Sequence, residues 1–132
     1  MIIRTCRQCA KAISDGQIKT LVISAESDPA YSAPADLKFE KLLDKVETVI
    51  HLGVRNLCAS ARSADWHVPG AHYLESWGDV RASDGTYSII QPMIAPLFDG
   101  VSQIQFLLRL IDDEYGSDVT KDPAQLAVKT TL

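Results

Sequence analysis

Ile18-Lys19-Thr20-Leu21-Val22-Ile23 and Thr48-Val49-Ile50-His51-Leu52 are the two stretches on which the fold turns. Both are short, β-branched and apolar, without the alternation of a sheet that has one wet face. They read as strands covered on both faces, as in a parallel sheet. Before the first strand, Cys6, Cys9, Ala10 and Ile13 fall at i, i+3, i+4 and i+7, the apolar stripe of a helix. Asp15-Gly16 closes that helix, since glycine tolerates the left-handed conformation at a helix end. Ser24 to Pro34, with Pro29 inside it, reads as a loop. A helix starts near Pro34, because proline is favoured in a first turn. Phe39, Leu42, Leu43 and Val46 give it an apolar stripe, and Lys38, Glu40, Lys41 and Asp44 face water. Gly53 ends the second strand, and a short helical piece covers Leu57 to Ser63. Asp65 to Val68, stopped by Pro69-Gly70, makes a third strand. Strand, helix, strand, helix, strand predicts an α/β domain with a parallel sheet and right-handed crossovers.

The pattern then breaks. Ala71 to Ser83 has mixed polarity and no period. Asp84-Gly85 is a turn signal flanked by Asp79–Ser83 and Thr86–Ile90, so either a two-residue hairpin or a long irregular excursion ending at that turn fits. Pro92 and Pro96 keep the next stretch extended. A last helix carries Ile104, Leu107, Leu108 and Ile111 on one face and ends at Gly116. Residues 124–132 read as a weakly ordered tail.

The chain has 132 residues, a length suited to a single domain spanning 1–132. Hydrophobic residues make up 46% and charged residues 23%, a globular balance that excludes disorder and a disulfide scaffold for the whole. With 13 Lys and Arg against 17 Asp and Glu, the net charge is −4 and there is no basic run, which argues against nucleic acid as a partner. No apolar stretch approaches the roughly 18–20 residues that cross a bilayer, so direct membrane insertion is not expected. The start lacks the charged segment and apolar block of a secretory signal. A domain cut from a longer protein reads this way.

Cys6-Arg7-Gln8-Cys9 has the CxxC spacing of a redox dithiol or half a zinc site. No strand precedes it, and Cys58 is the only further cysteine, so both residues read as small core positions on the helix stripe. His67, His72 and Glu75 do not share a helix face as zincin ligands do, and no metal site is expected. His51, inside a strand, points into a polar pocket or hydrogen-bonds in the core. Signatures of a phosphate loop, a GxGxxG turn and a nucleophile elbow are absent. Instead Ser24-Ala25-Glu26-Ser27-Asp28-Pro29 follows the carboxyl end of the first strand, where open α/β sheets bind ligands. Acidic side chains there would repel phosphate but accept hydrogen bonds from a guanine or ribose; an ordinary turn started by Asp28-Pro29 is the competing reading. Trp66, Tyr73 and Trp77 either stack on a ligand or anchor an irregular loop. Glu75 to Asp79, with Trp77 at its centre, suits a subunit or domain contact.

Two stretches together resemble a known family. One runs from Lys19 through Ser24-Ala25-Glu26-Ser27-Asp28-Pro29-Ala30-Tyr31 to Ala33-Pro34-Ala35-Asp36. The other is Ala64-Asp65-Trp66-His67-Val68-Pro69-Gly70-Ala71-His72-Tyr73-Leu74-Glu75-Ser76-Trp77-Gly78-Asp79, continuing to Asp84-Gly85-Thr86 and Ile89-Ile90-Gln91-Pro92. They resemble the molybdopterin oxidoreductase family, and within it the large iron-sulfur subunit of alternative complex III and related quinone-linked complexes. The resemblance extends from Ser14 to Tyr115. It implies a Rossmann-like α/β domain, one of several in a larger subunit. In catalytic members the loop matching Glu26, Ser27, Asp28 and Pro29 helps hold the guanosine of a molybdopterin guanine dinucleotide. The end of the second strand, where His51 stands, adds polar contacts. Here that end reads His51-Leu52-Gly53-Val54, without the acidic residue common in catalytic members. The alternative complex III branch is understood to lack the cofactor and to use the region as scaffold, with iron-sulfur clusters elsewhere in the parent.

The sequence thus predicts a non-catalytic structural domain of an electron-transfer subunit. It holds no cofactor of its own and packs against other domains of its parent and other respiratory-complex subunits. That parent would be a peripheral part of a cytoplasmic-membrane complex. Freed from its neighbours, the domain should expose an apolar patch near Trp77 and self-associate. Two other readings stand beside this one: a module gripping the guanosine through Glu26, Ser27, Asp28 and Pro29, and a small independent enzyme using His67, His72 and Glu75.

Overall fold

In a computed structural model the chain is described over residues 5–24, 27–111 and 122–131. It is a mixed α/β protein with a three-stranded parallel sheet, a two-stranded antiparallel sheet and flanking helices. The chain divides into two compact units, one ending at Val68 and the other beginning at Pro69. Among the described residues no helix is long and apolar enough to cross a membrane.

The first unit opens with α1 (Cys6–Ser14), capped by the Thr5 hydroxyl, which accepts from the Gln8 amide at 3.2 Å. Gly16, at φ +69°, ends it. Its amide donates to the Ile13 carbonyl at 3.0 Å and the Gln17 amide to the Ala12 carbonyl at 2.9 Å. That crossed pair is a Schellman closure, which satisfies carbonyls the helix leaves open. Strand β1 (Thr20–Ser24) pairs in parallel with β2 (Thr48–Gly53), Leu21 opposite Val49 and Ile23 opposite His51. Strand β3 (Trp66–Pro69) follows on the other side of β2. Asp65 anchors it, its amide donating to the Val49 carbonyl at 2.9 Å and its carboxylate accepting from the Val49 amide at 2.7 Å.

The central strand is well buried, but β1 is an edge: Ile23 is buried while Thr20, Val22 and Ser24 are exposed. The expectation of two covered faces therefore holds less well for β1 than for β2. Leu21 and Ile23 share a face because side chains alternate along a strand. That face meets Ala10 and Ile13 from the first helix and Phe39, Leu43 and Val46 from the segment between the strands, with Val49 in the same cluster. Cys9 packs against this core and Cys6 is exposed, so the cysteine at the start of the stripe is not a core residue.

The connection from β1 to β2 is more broken than its apolar pattern suggests. A short helix α2 (Pro29–Ser32) occupies the expected loop. The helix expected from Pro34 splits into a 3-10 turn, Ala35–Leu37, and α3 (Phe39–Leu43). The break is at Lys38, which takes a left-handed φ of 46°. After β2 comes α4 (Ala59–Arg62).

In the second unit, β4 (Gly78–Arg81) and β5 (Tyr87–Ile90) pair antiparallel, with Arg81 opposite Tyr87. The Ala82 amide bonds the Thr86 carbonyl and the Gly85 amide bonds the Ala82 carbonyl, so the connection is longer than a two-residue turn, with Gly85 at φ +91°. Helix α5 (Gln103–Ile111) begins in a capping box: Ser102 Oγ accepts from the Gln105 amide and the Gln105 side chain accepts from the Ser102 amide. No α5 residue is buried, although its sequence carries an apolar stripe. The expected end at Gly116 lies outside the described residues. The segment read as a weak tail carries α6 (Pro123–Thr131), whose Ala124 and Val128 are buried.

Candidate functional site

A cleft of about 150 Å³ opens beyond the carboxyl ends of β1 and β2 in the first unit. Ser27 and Asp28, from the loop after β1, and His51 and Gly53, at the end of β2, line it. Val54, Arg55 and Cys58, on the way to α4, also line it among the described residues. Parallel strands put all their carboxyl ends on one edge, and the loops leaving that edge build the site.

Asp28 is committed to the protein. One carboxylate oxygen accepts from the Ser60 amide at 2.8 Å and the Ser60 hydroxyl at 2.6 Å, and the other accepts from the Ala59 amide at 3.1 Å. Ser60, fully buried, accepts in turn from the Ala30 amide at 3.0 Å. This network ties the loop after β1 to the first turn of α4. Burial pushes the Asp28 carboxyl upward, but the Ser60 hydroxyl and the amides of Ser60, Ala59 and Tyr31 outweigh it and hold the group below the ordinary carboxylate range.

His51, only 2% exposed, joins two further groups. Its Nδ1 lies 2.9 Å from Nδ1 of His67 on β3, and the rings stack with centroids 5.1 Å apart. Its Nε2 lies 3.5 Å from the Cys58 sulfur. Burial first, and then His67, lower the His51 pKa and favour the neutral ring, against the opposing pull of Asp28.

The structure therefore brings Ser27, Asp28 and His51 to one cleft. Pro29 starts α2 beside it, and Glu26 lies outside the described residues. His72 and Glu75 serve each other: the His72 amide donates to the Glu75 carboxylate at 3.1 Å, and His72 Nδ1 accepts from the Leu74 amide at 3.3 Å. This caps the 3-10 turn Tyr73–Glu75. Trp66 and Tyr73 are exposed and Trp77 is half-buried. Ser60, Arg55 and Cys58 are the site residues that sequence reasoning missed. No local spacing links Ser60 to Asp28, and only the lone cysteine after a histidine-bearing strand could have drawn attention to Cys58.

Among the described residues no group of three or more His, Cys, Asp or Glu is placed to hold a metal ion. His51 meets Cys58 and His67 through opposite ring nitrogens, so the three do not converge on one point. Comparison with protein-family models and with curated proteins gives no match.

Proposed function

We propose that this chain is a structural domain of a molybdopterin-oxidoreductase-like electron-transfer subunit, close to the large iron-sulfur subunit of alternative complex III. The observation that carries the reading is the commitment of Asp28. A carboxylate that grips guanine must offer lone pairs to the base, and three of the roughly four lone-pair sites of Asp28 already meet Ala59 and Ser60. In this reading the cleft keeps the outline of a dinucleotide crevice and lends its polar groups to internal bracing. Its volume of about 150 Å³ agrees, since pockets that bury a drug-sized ligand run from about 300 to 1,000 Å³.

The finer architecture in this reading is a Rossmann-like sheet with a long excursion after β3. The domain packs against other domains of its parent, a peripheral part of a cytoplasmic-membrane complex whose iron-sulfur clusters lie elsewhere. Exposed apolar side chains at Met93, Leu97, Phe98 and along α5 support a packing role. Sequencing the reading frame on either side tests the setting. CxxCxxC ligand runs are expected there, and flanks without iron-sulfur ligands would overturn it. The guanosine-binding alternative has the strand-end position of the cleft in its favour and the occupied Asp28 against it.

A further inference from the structure

Bracing accounts for Asp28 and Ser60. It leaves the Arg55 side chain and the contacts of His51 with Cys58 and His67 without a task; the Cys58 thiol also lies 3.7 Å from the Arg55 carbonyl. Two imidazole nitrogens 2.9 Å apart share one hydrogen: one ring donates and the other accepts. When His51 carries its hydrogen on Nδ1, donated to His67, its Nε2 presents a lone pair to the Cys58 sulfur 3.5 Å away. This is the order nucleophile, base, orienting group that activates a thiol. Ring burial keeps His51 in its neutral, proton-accepting form. Cys58 is half-buried at the wall of the cleft, so its sulfur is sheltered and still reachable.

The charges of the cleft wall narrow the co-reactant. The Asp28 carboxylate is turned to the amides of Ala59 and Ser60, although its charge is still felt at His51. Arg55 is exposed and makes no ion pair among the described residues. Arg55 is the one Lys or Arg among the described residues that line the cleft with Cys58 and His51, and a guanidinium at that wall suits a small disulfide bearing carboxylates.

We infer that Cys58 is a thiol–disulfide exchange site for anionic disulfides of the glutathione class, with His51 as its base and His67 positioning that base. The Cys58 hydrogen passes to His51 Nε2 as the sulfur attacks one sulfur of the disulfide. The disulfide S–S bond breaks, and the departing thiolate takes the proton from His51. The products are a mixed disulfide on Cys58 and one free thiol: Cys58 is oxidised and the departing sulfur reduced, with no other reactant. Only the first atoms of the incoming group need enter the cleft. The step is independent of the scaffold reading.

The test exposes the whole reduced chain to oxidised glutathione at neutral pH, quenches with acid and reads each cysteine by peptide mass spectrometry. Cys6, the exposed cysteine, and Cys9 are internal controls. Cys58 is expected to react about a hundredfold or more faster than either, the low end for a positioned base. His51→Gln should bring Cys58 to the rate of Cys6, and His67→Gln should slow it less. Arg55→Gln should reduce the preference for glutathione disulfide over neutral hydroxyethyl disulfide. In the unaltered chain, a Cys58 no faster than Cys6 would overturn the inference, whatever the variants do. An unchanged rate in a folded His51→Gln would overturn the relay, and an unchanged preference in Arg55→Gln would overturn the anionic class.

Discussion

Removing the Asp28 carboxylate leaves the buried Ser60 hydroxyl and the amides of Ala59 and Ser60 without their acceptor. Hydrogen bonds to a charged group are worth about 1.5–3 kcal/mol, so Asp28→Ala should cost about 2–3 kcal/mol of stability, read from the urea midpoint. Asp28→Asn keeps one acceptor oxygen and should lose less. A change within about 0.5 kcal/mol, the range of an ordinary surface substitution, would remove the brace from the account. His51 makes a pH prediction. Its folded-state pKa is lowered, so the unfolded chain takes up a proton first as pH falls. The stability held by the neutral ring is present above the ordinary imidazole value and is lost as pH drops through it toward the folded value. Urea midpoints at pH 7.5 and 5.5 should fall further for the unaltered chain than for His51→Gln; equal falls would show that the ring titrates alike in both states. None of these residue pairings was legible in the sequence. Asp28 stands 32 positions from Ser60, and His51 16 from His67, so only the finished sheet and its loops join them.

Element ends were more legible, because the signals for them are local. Gly16 after the apolar stripe marks the end of α1, and its φ of +69° explains why. Gly16→Ala should cost about 1–2 kcal/mol, although open space surrounds the new methyl group. An unshifted thermal midpoint would contradict that reading. Gly100 carried no such signal, since its constraint is a close approach. A Cβ there would lie 3.0 Å from the Ala71 Cα and amide nitrogen. Backbone atoms give way poorly, so Gly100→Ala should cost about 1–3 kcal/mol by the same measurement, and a neutral result would mean that the segment shifts freely. The break at Lys38 was hidden because the apolar stripe runs on through it, and periodicity reports a buried face rather than the dihedral of one residue. The stripe of α5 had the same weakness: the period is present in the sequence, but no residue of the helix is buried.

At the scale of the whole molecule, the parallel sheet was legible because two short apolar runs separated by a helical stretch admit few other arrangements. The apolar surface was expected near Trp77. That residue is half-buried, with Tyr73, Leu74 and Val80 exposed near it in sequence, and some of the largest apolar exposures lie further on, at Phe98, 84% exposed, and Ile111, 79% exposed. Sedimentation across a hundredfold concentration range should show reversible self-association, weakened by Phe98→Ser; a monomer throughout would count against exposed contact surface. The central claim, that Asp28 braces the fold and leaves the crevice without a nucleotide, is tested most directly by calorimetric titration of the chain with GDP at millimolar concentration. The expected result is no heat beyond dilution. A saturable heat that disappears in Asp28→Ala, measured where that variant is still folded, would contradict it.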